Sequence, residues 1–295
     1  MARPGPPPTL AEYRSRAPSA QRQSGGRKPT SSPTVSIVTV VRNGRSTIEQ
    51  TIRSVLAQGV DGLEYLVVDG ASTDGTIEVL RRFEDRLFWI SEPDDGISDA
   101  FNKGLAMARA DVIALLNSDD WYAPGAVAAS LEALERTSGA GFTFGDLASV
   151  EADGRTRVYR GDPHYARVIH RRMPQLNHPT VFVRRSLYER LGLFRPKLRI
   201  AMDYDFLLRL HLAGVHGLYL PRVIAHMRAD GLSNRLVPHS YREARDVALS
   251  QGEPAVPPWG EYLLSMAGHH AKRALLRLGA ESAVERLLRI RYHMK

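Results

Sequence analysis

The chain has no cysteine, which removes disulfide staples and thiolate-ligated zinc from consideration. Its apolar runs are short. Val35–Val41 and Val112–Leu116 fall far below the roughly 20 residues that span a bilayer. The opening Met1-Ala-Arg-Pro-Gly-Pro-Pro-Pro has no apolar stretch of the signal-peptide kind. There is no Gly-x4-Gly-Lys-Ser/Thr loop, nor a Gly-x-Gly-x-x-Gly after a strand, so P-loop ATP hydrolysis and NAD redox chemistry are disfavoured. These absences suit a cytoplasmic protein in a reducing compartment.

What is present is ordinary for a globular fold: 295 residues, 43% apolar and 24% charged. The formal charge of +8 sits at the ends. Residues 1–33 carry six Lys/Arg and one Glu, and residues 271–295 carry seven Lys/Arg and two Glu, so each end is +5 and the middle is −2. A nucleic-acid binder would carry its positive stripe on the folded domain, so that partner is not expected. Basic ends remain suited to an anionic lipid surface.

Residues 1–33 hold seven prolines and few large apolar residues, the composition of a disordered tail. Order is expected from Thr34. The β-branched run Val35–Val41 reads as a buried strand, and Ser46-Thr47 then cap a helix over 48–58. The pattern repeats with strands at 65–68, 87–90 and 111–116 and helices at 76–83, 97–108 and 126–137. A further strand is expected at 141–147, and helices at 184–191, 203–212 and across 239–293. Strands alternating with helices through short loops imply an α/β fold with a doubly wound, mostly parallel sheet, whose ligands bind at the carboxyl ends of the strands. Three acidic loops, at 69–74, 94–95 and 119–120, fall on that edge.

Asp119-Asp120 follows the apolar strand Val112–Leu116. Two adjacent carboxylates repel unless a cation sits beside them, and hard oxygen ligands suit Mg2+ or Mn2+ bridging to diphosphate oxygens. Alone, the pair is better read as a solvated turn anchored by Trp121-Tyr122; the two neighbouring acidic loops reverse that and favour the cation. The loop Asp69-Gly-Ala-Ser-Thr-Asp74 is not a calcium loop, because Ala71, Thr73 and Leu80 occupy its third, fifth and twelfth positions.

Four segments now combine. Val35-Ser-Ile-Val-Thr-Val-Val-Arg-Asn, Val-Val-Asp69-Gly-Ala-Ser-Thr-Asp-Gly-Thr, Glu92-Pro-Asp-Asp-Gly-Ile-Ser-Asp-Ala-Phe-Asn-Lys-Gly104 and Leu116-Asn-Ser-Asp-Asp-Trp-Tyr resemble the successive motifs of family 2 glycosyltransferases. The resemblance covers about 34–235. It implies a GT-A fold, a nucleotide-diphosphate sugar donor (UDP-linked in many members), a glycan or lipid-linked acceptor and inversion at the anomeric carbon. Residues 34–145 would then form the nucleotide-sugar-binding half, 146–235 the acceptor-binding and catalytic half, and 236–295 a C-terminal helical extension.

Carried over residue by residue, the resemblance assigns Val40, Arg42 and Asp69 to the nucleoside pocket. Many members have Asp-Asp where this chain has Asp69-Gly70, and the base-contacting carboxylate is often the second of the two. Asp95 and Asn102 match the loop that shapes the donor site. Asp120 matches the direct metal ligand, with Asp119 beside it and toward the ribose, and Mn2+ or Mg2+ is the implied cofactor. Direct displacement needs a carboxylate to take the acceptor proton. The segment Ile200-Ala-Met-Asp203-Tyr-Asp205 resembles the family's element for that base and selects Asp203. By itself Asp203 fits a helix N-cap as readily, with Asp205 a first-turn acid that Arg209 pairs with. His178, before Pro179, matches an acceptor-side histidine or a structural turn residue. His269-His270 lacks acidic partners, and the basic C-terminal helix could pack on the domain, dimerise or make a peripheral membrane contact. Two rivals stand beside a glycosyltransferase. A nucleotidyltransferase would want a Gly-rich basic loop richer than Asn43-Gly44-Arg45, and a non-catalytic nucleotide-sugar module would be expected to lose Asp120 or Asp203.

Overall fold

Val35–Val41 is buried at every position, as a β-branched run in the middle of a two-sided sheet must be. In the computed structural model, which describes residues 5–16, 18–26, 32–170, 173–229, 237–251 and single positions at 260, 263, 267, 268 and 271, this run is strand β2. It pairs in parallel with β3 (Leu63–Asp69) on one side and β5 (Val112–Asn117) on the other. β4 (Phe88–Ser91) continues the parallel set beyond β3, and β1 (Gln23–Gly26) closes that edge antiparallel to β4.

The other side of the sheet is mixed. β9 (Phe182–Arg184) runs antiparallel between β5 and β7 (Ala140–Val150), β10 (His216–Arg228) is parallel to β7, and β6 (Trp121–Tyr122) pairs antiparallel with β10. β8 (Thr156–Tyr159) hangs from β7. The expected parallel α/β sheet is therefore present, with an antiparallel insertion at β9.

Helices cover both faces, and alternate residues of each strand feed separate cores. Val38, Val40, Leu66 and Val68 face Phe101 and Leu105 of α4 (Ile97–Met107). Val35, Ile37, Val41 and Val67 face Ile48, Ile52 and Val55 of α2 (Ile48–Leu56) and Leu80 of α3 (Thr76–Arg81). α5 (Ala126–Arg136) joins the second core; α6 (Arg185–Leu191), α7 (Met202–Leu212) and α8 (Val237–Ser250) cover the first. Among the described residues no helix is long and apolar enough to cross a membrane. The helical extension expected beyond Gln251, with His269-His270 and the basic rim, lies almost wholly outside the described residues.

One expectation is corrected. The segment read as a disordered tail contains α1 (Leu10–Ser15) as well as β1. Thr9 and Glu12 form a reciprocal capping box, and Leu10 and Tyr13 are buried on the first core. Composition averaged over 33 residues hides one amphipathic turn whose two anchors find a preformed surface.

Gly104 shows how closely α4 lies on the sheet: a Cβ there would collide with Val38 Cγ1. Alanine is the better helix former by about 1 kcal/mol, but overpacking a close contact costs about 1–3 kcal/mol. Gly104→Ala is therefore expected to lower unfolding free energy, read as a reduced denaturant midpoint with an unchanged slope.

Candidate active site

Parallel pairing brings the ends of β2, β3, β4 and β5 to one edge, and the loops that leave them lock together. Asn43, at φ 54°, turns the chain in the left-handed region that Asn tolerates. Its backbone N–H donates to Ser72 Oγ (2.7 Å), and its side-chain oxygen accepts from Thr73 N–H (2.9 Å). Gly44 N–H donates to Thr76 Oγ1 and Arg45 N–H to Asp74, each at 3.0 Å. The first loop is thereby fixed by the second.

A cavity of about 480 Å³ opens above these loops, within the range that receives small ligands. Val40, Arg42, Asp119, Asp120, His178 and Asp203 all line it, so six of the sequence-selected residues meet at one site. Asp69, Asp95 and Asn102 do not line it. Asp69 is fully buried, and its carboxylate accepts from Ser72 N–H (2.9 Å), Ser72 Oγ and Ser91 Oγ (2.6 Å); it braces the loop. Asn102 spends its amide on Phe194, donating to the carbonyl at 2.8 Å and accepting from the N–H at 2.9 Å. Asp95 points to solvent, and its neighbour Asp94 lines the cavity instead. Asp94 Oδ1 accepts from Gly96 N–H (2.9 Å), while Oδ2 lies where a Cβ on residue 70 would stand. Burial pushes its carboxyl above the usual range. A one-residue choice within Asp94-Asp95 carries no periodic signal, so the sequence does not single out Asp94 as the one that lines the cavity.

Asp120 is buried at the end of β5. Burial first, and Asp119 second, drive its carboxyl well above the usual range; Asn117 Nδ2 (3.2 Å) and the charge of Arg228 oppose this. Arg228 itself donates to Gln50 and lies over the Trp121 ring, against which His226 stacks with centroids 5.3 Å apart. Two buried oxygens, Asp120 Oδ1 and Asn117 Oδ1, have no hydrogen-bond partner.

Asp203 stands in the first turn of α7, where backbone amides are free, and one oxygen accepts from Tyr204 N–H at 2.7 Å. Burial raises its pKa to about 6. His178 Nδ1 approaches Asp203 Oδ2 at 3.8 Å, but burial lowers the imidazole pKa to about 4, so near neutral pH this is a carboxylate beside an uncharged ring and not an ion pair. Glu243 of α8 supports this wall from behind, a contribution with no motif to announce it. Its Oε2 accepts from Ile200 N–H (2.9 Å) and Ala201 N–H (3.0 Å), which holds the start of α7.

Asp205 faces away from the cavity. It is fully buried between Arg195 and Arg209, the latter at 3.1 Å, and Arg209 also binds the carbonyls of Leu191, Gly192 and Leu193. The two carboxylates of Asp203-Tyr-Asp205 thus divide their work: one faces the cavity and the other anchors the helix.

The description Glycosyl transferase family 2 belongs to a family model that matches residues 36–192, more than half of the chain. The chain belongs to glycosyltransferase family 2. A glycosyltransferase of Mycobacterium tuberculosis is 35% identical over 186 residues, covering 61% of this chain and 70% of that one. The teichuronic acid biosynthesis glycosyltransferase TuaG of Bacillus subtilis is 35% identical over 126 residues, 41% of this chain and half the length of that relative. Among solved structures, the mannosyltransferase PcManGT from Pyrobaculum calidifontis, in complex with GDP-Man and Mn2+, superposes with a TM-score of 0.57 at 19% identity, covering 95% of this chain and 86% of its own. S. aureus TarS residues 1–349 with UDP give 0.57 at 18%, covering 74% and 65%. These likenesses show the GT-A fold.

The glycosyltransferase's oxygen cluster fits a hard divalent ion. Asp119, Asp120 and the Asn117 amide oxygen would hold it, with two unpartnered oxygens already facing away from water. Among the described residues no group of three His, Asp or Glu is placed to bind a metal, so the remaining ligands would come from diphosphate and water. Loss of even an outer-shell partner typically weakens metal binding 10–100-fold, so Asp120→Asn, which removes a ligand charge, should weaken Mn2+ binding in the presence of nucleotide by at least about 100-fold, measured by calorimetry. Asp205→Asn should leave that binding intact and instead cost about 3–5 kcal/mol of stability in denaturant unfolding, because two buried guanidiniums keep their carbonyl contacts but lose the carboxylate that balances their charge.

Proposed function

We propose that this glycosyltransferase transfers a sugar from a nucleotide-diphosphate donor, UDP-linked in the first instance, to a glycan or lipid-linked acceptor with inversion. The observation that carries the reading is the meeting of two separate carboxylate groups in one cavity, Asp119-Asp120 from the end of β5 and Asp203 from the start of α7. A single displacement needs both: a charge-neutralising site for the departing diphosphate and a base for the incoming hydroxyl. A bound divalent ion would supply the neutralising charge. Arg42 and Arg199 add cationic groups to the cavity wall.

Asp203 takes the acceptor proton in this reading, with the neutral His178 imidazole beside it. Helix amides favour the carboxylate while burial disfavours it, and the result is a base whose pKa lies near working pH. The occurrence of TuaG and of the Pasteurella multocida chondroitin synthase (29% identical over 187 residues) among the relatives supports a saccharide acceptor. A nucleotidyltransferase is disfavoured by the sparse basic loop after β2. A non-catalytic module is disfavoured by the retention of Asp120 and Asp203.

A thermal-shift screen of UDP- and GDP-sugars with and without MnCl2 tests the donor; absence of stabilisation by every one would sink the reading. Asp203→Asn should bind nucleotide as the parent does and lose about 10²–10⁴-fold in transfer rate. The pH profile has a definite sign. A base works only when ionised, so the rate with saturating donor should fall about tenfold per unit below a pKa of about 6 and level off above it. A flat profile from pH 5 to pH 7 contradicts the assignment.

A further inference from the structure

The loop that brings Asp94 and Gly96 to the cavity runs between two buried carboxylates, Glu92 before it and Asp99 after it. Both are gripped from outside by the N-terminal segment, which precedes the family match at residue 36. Tyr13 donates its hydroxyl to Asp99 Oδ1 at 2.8 Å, and Arg16 reaches the same oxygen at 3.1 Å. Arg22 holds Glu92 through Nε (2.9 Å) and Nη2 (3.2 Å), with Ser19 N–H at 3.1 Å. From inside, Lys103 bridges Glu92 (3.1 Å) and Asp99 (3.4 Å) and donates to the Pro93 carbonyl (2.7 Å). Asp99 Oδ2 accepts from Asp95 N–H, so the loop itself hangs on this carboxylate.

We propose that residues 5–16 and 18–26 form a strap that positions the Asp94 loop for the donor, acting through Glu92 and Asp99. The charge balance supports it. Without Tyr13, Arg16 and Arg22, one ammonium serves two buried carboxylates, and both lie at the hinges of the loop. Burial pushes both carboxyls up, yet the strap and Lys103 hold each below its usual range. The strap is itself fastened at both ends. β1 pairs with β4, and at the far end Leu193 N–H donates to the Pro8 carbonyl (2.8 Å) while Arg195 donates to the Gly5 carbonyl (2.8 Å). Arg195 in turn binds Asp205, so the segment spans from the donor loop to the base of α7. Tyr13, Arg16 and Arg22 are positioning residues: none of them lines the cavity.

The consequence for donor affinity rests on the function proposed above, so the test has an arm that does not. In the full-length chain, Tyr13→Phe/Arg16→Gln/Arg22→Gln keeps the buried ring and removes the polar grip. Amide hydrogen exchange of residues 93–100 should then accelerate at least about tenfold, with β2 and β5 unchanged. Arg16→Lys/Arg22→Lys with Tyr13 intact should return most of the protection. Unchanged exchange at 93–100, or an equal rise in β2 and β5, overturns the strap. Calorimetry with UDP or GDP and MnCl2 should show affinity weakened about tenfold in the triple variant; equal affinity overturns the link to the donor. If the parent chain binds neither nucleotide, the donor reading fails, and the exchange experiment still decides the strap.

Discussion

The register of β2 between β3 and β5 governs everything above the sheet. Val41 lies opposite Asp69, and Val40 lies opposite Asn117, so the last residues of three parallel strands end level with one another. Parallel strands accept this only with both faces covered, and the fully buried β2 meets that demand with a helical layer on each side. A slip of one residue would exchange the two cores and carry Val40 away from the cavity. Depth in the sheet is thus what makes the carboxylates chemically useful. Asp120 at the end of such a strand is shielded from water on the protein side, which raises the cost of its charge and the value of a cation beside it.

Order in the site is built by residues that never reach the ligand space. Asp69, Ser72 and Asp74 spend their polar groups on the loops at 43–45 and 69–76. Asn102 ties α4 to Phe194, and Glu243 holds the start of α7. A side chain that must stay available to a ligand cannot also fold the loop that carries it. The second task falls to neighbours one shell out, drawn from segments as distant as α1 and α8.

The parallel strands, their helices and the carboxyl-edge clustering were legible because they rest on periodicity and connectivity, which are local. Val40, Arg42, Asp119, Asp120, His178 and Asp203 were legible through motifs, and all six line the cavity. The three selected residues that do not line the cavity share a reason. Asp69, Asp95 and Asn102 belong to the same motifs, but a motif records which residues occur together and not which way each one points. Asn102 on α4 turns to the Phe194 backbone, and it is Asp94, not Asp95, that lies over the bare Gly70. The order of the N-terminal segment escapes the sequence for a different reason. Its order comes from Glu92, Asp99 and the apolar surface near α4, none of which is visible in residues 1–33 themselves.

Asp203 and Asp205 show how one helix turn presents one carboxylate to the cavity and buries the other. Both carboxylates are near the amides of the same N-terminus, but Asp205 is matched by two guanidiniums and Asp203 by an uncharged imidazole. Matching fixes Asp205 as a charged strut. Withholding a cation from Asp203 leaves burial free to lift its pKa to about 6, while its amide contact limits the rise. Were an arginine to stand where His178 does, the carboxylate would be held ionised far below neutral pH and would be a weak proton acceptor. In the proposed function, the neutral partner is therefore what would let this first-turn acid act as a base.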